Sequence, residues 1–132
     1  MAKNLVLLDQ VLDIMKLFLL VNNRQPYHKI TTKLKDNGFD FETVNILDFF
    51  SDYEDYEHTL LLLPSLFVKI VDINLSNVSN QKNYNFIIIS DKHSQCKSID
   101  HVSTKLNIVD FISGEDDEKT IKGVLNKHLG KA

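Results

Sequence analysis

The chain has 132 residues, 43% of them hydrophobic and 25% charged, which suits one globular domain with a full core. A net charge of −3 supplies no basic field, so neither nucleic acid nor an anionic membrane is expected as a partner. The one cysteine, Cys96, cannot close an internal disulfide and suits a reducing compartment, so a cytoplasmic location is expected.

Residues 3–14 place Leu5, Leu8, Val11 and Leu12 at helical spacing, so residues 1–15 read as an N-terminal helix or arm. Asp9, Asp13 and Lys16 interrupt the apolar stretch from Leu5 to Val21, which argues against a secretory core or a membrane span. The single α/β domain is expected over residues 16–132. Its first strand is Lys16 to Val21, whose apolar residues from Leu17 onward run without a break to Asn22-Asn23. Pro26 fits the first turn of a helix, where its missing N–H costs nothing. Tyr27, Ile30 and Leu34 share one face of that helix, and Gly38 marks its end. Phe39 to Ile46 reads as a second strand. Asp48 to His58 is acidic and aromatic, with Phe49, Tyr53 and Tyr56 at helical spacing.

Leu60 to Leu63 is strand-like up to Pro64. Ser65 to Asn74 fits two readings: its β-branched residues favour a strand, while Leu66, Ile70 and Ile73 fit a helical face. Leu75 to Tyr84 is polar and reads as a loop. Phe86 to Ile89 is apolar on successive residues, which suits a strand covered on both faces and hence a parallel sheet. A helix over Ser94 to Leu106, a strand over Ile108 to Ser113 and a helix over Asp116 to Leu129 complete the pattern. Ile121, Val124, Leu125 and Leu129 form the last buried stripe. Glu115, Asp116, Asp117 and Glu118 sit where a helix dipole favours negative charge. The expected fold is α/β: a three-layer sandwich around a central, mostly parallel five-stranded sheet.

If Ser65 to Asn74 is a helix, residues 16–129 spell five βα units, and the layout resembles a receiver domain of a bacterial response regulator. The segment NIVDFISGEDDEKTIKGVLNKHL, Asn107 to Leu129, looks like the last strand and helix of that family. The resemblance implies an acidic pair after strand one, where Asn22 and Asn23 stand. It implies a phosphoacceptor aspartate after strand three, where Leu63-Pro64 stands, and a lysine after strand five, where Gly114 stands. The hydroxyl after strand four is matched by Ser90. The implied protein is a pseudo-receiver: a signalling module without phosphoryl chemistry, acting through a protein partner. The family's usual output face then nominates Asp110, Ser113, Glu115, Lys119 and Lys122 as contact residues.

A rival resemblance is to the thioredoxin-like fold over residues 16–73. QPYH, Gln25 to His28, sits where a glutaredoxin carries its two cysteines, and Pro64 looks like that fold's cis-proline. Both cysteine positions are replaced, so this reading implies an adaptor without thiol exchange, with contacts at Gln25, Tyr27, His28 and Pro64.

Other constellations are weaker. Asp91, His93 and Cys96 offer oxygen, nitrogen and sulfur after a strand, but without a second ligand pair they read as a polar loop. Cys96 and His101 are five residues apart and fall on different helix faces, a poor nucleophile–base arrangement. Asp48, Asp52, Glu54, Asp55 and Glu57 read as a solvated face whose interleaved Tyr53 and Tyr56 suit a partner. Arg24, Lys29, Lys33 and Lys35 form a basic strip. No phosphate-cradling glycine loop is present in the sequence. No catalytic residue, metal ligand or cofactor is expected. The N-terminal arm leaves open a homodimer or packing across the chain's own sheet.

Overall fold

The computed structural model describes residues 16–22, 27–76, 83–97 and 105–129. The expected N-terminal helix or arm lies outside them, as do Arg24, Gln25, Pro26, His101 and residues 98–104 of the helix expected over Ser94 to Leu106, whose last two residues are described and are not helical.

Five strands form one sheet: β1 Leu17–Val21, β2 Glu42–Asn45, β3 Leu60–Pro64, β4 Asn85–Ser90 and β5 Ile108–Ser113. Their order is β2-β1-β3-β4-β5 and every pairing is parallel. This is the doubly wound order of flavodoxin-like folds. Neighbouring parallel strands need a crossover, and the helices supply it. They are α1 His28–Asp36, α2 Ile46–Ser51, α3 Val68–Leu75, α4 His93–Lys97 and α5 Glu118–Leu129. Short 3-10 turns cover Tyr53–Tyr56 and Ser65–Phe67.

The central strands β1, β3 and β4 are covered on both faces. One layer gathers Phe18, Leu20, Leu61, Leu63, Phe86 and Ile88 against α2 and α3. The opposite layer gathers Leu17, Leu19, Leu62, Ile87 and Ile89 against α1 and α5. Phe86 through Ile89 are wholly buried, so the run expected to be covered above and below is so covered. The edge strand β5 carries a register shift opposite Phe86 and Ile87, which pair with Ile108 and Asp110. The shift moves the alternation by one residue and turns Ile112 into the α1/α5 layer.

Ser65 to Asn74 is a turn followed by a helix, which settles the choice between strand and helix. The crossover from β3 to its parallel neighbour β4 requires it. The helical face is the reverse of the one read from sequence. Val68, Val71 and Leu75 are buried, while Leu66, Ile70 and Ile73 are exposed. The thioredoxin-like alternative is overturned. The sheet has no antiparallel hairpin and the Leu63–Pro64 peptide is trans, with no cis bond among the described residues.

Boundaries follow local chemistry. α1 ends at Gly38, whose φ of 83° is the left-handed conformation that a side chain disfavours. Gly38 N–H donates to Lys35 O and Phe39 N–H to Leu34 O, the paired bonds of a glycine-terminated helix. α2 starts where the Asn45 side chain accepts from Leu47 N–H. It is shorter than expected, because the acidic segment breaks into α2 and a 3-10 turn. Among the described residues no helix is long and apolar enough to cross a membrane.

Candidate functional site

Ligands of open α/β sheets bind outside the carboxyl ends of the strands, at the point where strand order reverses. Here that point lies between β1 and β3. The residues around it are Asn22 after β1, Pro64-Ser65 after β3, Ser90-Asp91 after β4 and Gly114 after β5.

These ends are tied to one another by the chain's own groups. Tyr27, just before α1, is buried, and its hydroxyl shares a 2.7 Å hydrogen bond with Ser65 Oγ across the switch point. Asp91 Oδ1 accepts from Ile30 N–H at 2.9 Å. Gln95 Oε1 accepts from the N–H groups of both Asp91 and Lys92. Ser90 is fully buried; its hydroxyl donates to Lys92 O at 2.8 Å and lies 2.9 Å from Cys96 Sγ. Gly114 N–H donates to Ser90 O. A Cβ at Gly114 would stand 3.0 Å from both Asp91 O and Lys29 Cγ, so the β4 and β5 loops and α1 meet there in close contact.

The loop after β5 is equally engaged. Glu115 accepts from His93 N–H at 2.7 Å, and this bond holds its carboxyl below the ordinary range. Asp116 accepts from Ser113 N–H and lies 3.3 Å from His93 Nε2. Asp117 accepts from Thr120 N–H and is likewise lowered, chiefly by that bond. The acidic run therefore acts through specific turn and cap bonds, more than through a diffuse dipole effect. Only Glu118 of the run lies within α5.

Several expected sites change character in three dimensions. Asp91, His93 and Cys96 do not converge. The first bonds to α1, the second faces Asp116, and the third is buried beside Ser90 with Ile112 O 3.8 Å from its sulfur. Among the described residues no group of His, Cys, Asp and Glu is arranged to hold a metal ion. Tyr53 and Tyr56 are half-buried and packed against the core. The Tyr56 ring meets Phe18 edge-on at 5.3 Å, and Tyr53 O accepts from the buried Tyr84 hydroxyl. Burial is also the main reason the Tyr84 phenol titrates far above its ordinary value. In the basic strip, Lys33 Nζ donates to Asp116 O and Lys35 lies over the Phe41 ring.

Of the nominated contact residues, Asp110, Glu115, Lys119 and Lys122 lie on the β5–α5 side. Glu115, Lys119 and Lys122 are exposed, and Asp110 is half-buried. Asp110 pairs with His128 at 3.0 Å, and Lys122 pairs with Glu118. Ser113 differs from the others: it is 1% exposed, and its hydroxyl accepts from Glu115 N–H, a bond that shapes the loop. Of the alternative set, Gln25 lies outside the described residues, Tyr27 and Pro64 are buried, and His28 is exposed. Sequence reasoning missed Tyr27–Ser65 and Asp91–Ile30 because each joins residues distant in the chain.

The chain matches no known protein-family model, no curated protein and no solved structure.

Proposed function

We propose that this protein is a non-catalytic interaction module of receiver-like form that signals through the surface of β5 and α5. One observation carries the reading. The hydroxyl and carboxylate at the end of β4, Ser90 and Asp91, are spent on structural bonds to Lys92 O and Ile30 N–H. Proline, asparagine and glycine stand at the other positions where a receiver places its acids and its lysine. Neutral groups are poor partners for Mg²⁺, which takes hard, charged oxygen ligands. The contact residues are Asp110, Glu115, Lys119 and Lys122, a mixed-charge strip that suits a polar protein partner.

Incubation with acetyl phosphate and Mg²⁺, followed by intact-mass measurement, tests the loss of phosphoryl chemistry; gain of one phosphoryl group contradicts it. Charge reversal at Lys119 and Lys122 tests the surface. The expected result is loss of proteins co-purified from the native lysate with an unchanged melting curve, and retention of all of them refutes the proposed face.

A further inference from the structure

The sheet ends in two edge strands, β2 and β5. An edge strand offers backbone donors and acceptors to any further strand, and folded proteins guard against that pairing. β2 is four residues long and begins on the exposed Glu42. β5 is longer, six residues, and is rich in Ile, Val and Phe, which favour strands. Phe111 within it is exposed. By length and composition β5 is the edge open to further pairing.

Its outward donors are nevertheless taken. In a parallel ladder alternate residues of a strand turn their backbone groups to the neighbour. Gly114 N–H donates to Ser90 O. Past the register shift, then, Asp110 and Ile112 also face β4 with their N–H groups, and Phe111 and Ser113 face the free side. Phe111 N–H donates to Asp110 Oδ1 at 2.9 Å, and Ser113 N–H donates to Asp116 Oδ2 at 2.8 Å. The second oxygen of each carboxylate lies against a histidine ring. Asp110 Oδ2 is 3.0 Å from His128 Nε2, and Asp116 Oδ1 is 3.3 Å from His93 Nε2. Each aspartate thus bridges an edge donor to a helix, α5 through His128 and α4 through His93. Ser113 is spent further: its carbonyl accepts from Asp116 N–H and its hydroxyl from Glu115 N–H.

We infer that Asp110 and Asp116 close the free edge of β5 to strand addition, and that the strand they exclude is β5 of a second copy. Identical apolar segments of high strand preference pair readily, and every copy carries this one. A two-fold pairing of β5 with β5 would join two five-stranded sheets into one. It would need the N–H groups of Phe111 and Ser113 as donors. The carboxylate oxygens stand where the carbonyls of the added strand would have to sit. An entering strand must displace them and leave two carboxylates short of their donors beside an apolar strand. The two histidines act as positioning residues that hold the carboxylates in that orientation.

Asp110→Ala combined with Asp116→Ala removes both caps. In the dilute variant the Phe111 and Ser113 amides exchange with deuterium roughly tenfold faster or more, read residue by residue by NMR. In sedimentation equilibrium of the full chain across a concentration series, the mass of the variant rises toward two chains, above that of the unmodified protein. Phe111→Pro in the same background removes one donor at a place where an edge strand tolerates proline, and abolishes the association; Phe111→Ala does not. Asp91→Ala, which loosens α1 away from this edge, controls for destabilisation alone and leaves the mass unchanged. Where the double variant fails to fold, Asp110→Ala alone, read at the Phe111 amide, carries the same test. Equal exchange in variant and unmodified chain overturns the inference. So does a folded double variant no more associated than the unmodified chain, or an association that Asp91→Ala reproduces or Phe111→Pro leaves intact.

Discussion

Asp91 caps a helix to which it does not belong: its carboxylate accepts a 2.9 Å bond from Ile30 N–H, 61 residues away in the chain. α1 has no acidic residue in its first turn and no side-chain cap from Tyr27. Asp91 supplies both the acceptor and the negative charge that the helix start favours. Asp91→Ala is expected to destabilise the protein by about 1–3 kcal/mol. Asp91→Asn, which keeps an acceptor, should recover most of that in urea denaturation. Equal losses for the two variants would place the effect elsewhere.

Gly114 sits against Asp91 O and the Lys29 side chain, each 3.0 Å from the position of an added Cβ. The lysine stem can move, but the backbone carbonyl yields less readily. Gly114→Ala should therefore cost about 1 kcal/mol, seen as a lowered denaturation midpoint. A stabilised variant would show that the two loops have slack.

Ile87 and Ile88 are adjacent in sequence and enter opposite cores. Truncation of either to alanine should cost about 2–5 kcal/mol, because each leaves a cavity in a sealed layer. A one-sided sheet would instead give one large and one negligible effect, so the pair of denaturation curves tests the three-layer arrangement directly.

Cys96 is buried and its sulfur lies 2.9 Å from Ser90 Oγ. Reaction with a bulky disulfide reagent is expected to be slow in the native protein and to reach full stoichiometry only on unfolding. Fast native labelling would reopen the reading of Cys96 as a reactive thiol.

Glu115 and Asp117 both titrate below the ordinary carboxylate range, held there first by the N–H groups of His93 and Thr120. A carboxyl lowered in the folded state binds its proton less readily than in the unfolded chain. Its stabilising effect is present above the unfolded value and is lost as pH falls through the folded one. Melting temperature should thus decline below about pH 4, and Glu115→Gln with Asp117→Asn should flatten that decline.

Much of this architecture is legible in the amino-acid sequence. The run from Phe86 to Ile89 announced a strand buried on two sides, since no one-sided sheet tolerates apolar groups at every position. Gly38 marked the end of α1 because only a residue without a side chain takes that backbone conformation freely. The strands Leu60–Pro64 and Ile108–Ser113 followed from run length and from their flanking residues. The candidate site was less legible. Ser90 and Gly114 were correctly placed at strand ends, but which group satisfies which was not written locally.

The periodicity of α3 was visible, yet the face it buries was not. Both faces are apolar, so hydropathy alone cannot orient the helix; the position of the sheet beneath Val68 and Val71 does. Likewise, the register shift in β5 leaves no mark in the pattern Ile108 to Ser113, yet it carries Asp110 to the side of α5, where His128 meets it. Sequence by itself determined most of the strands and helices, with Ser65 to Asn74 the exception, because backbone preference and solvent exclusion act over a few residues. Tertiary structure alone decided which polar groups meet and which apolar face stays in water, because those outcomes depend on the docking of segments far apart in the chain.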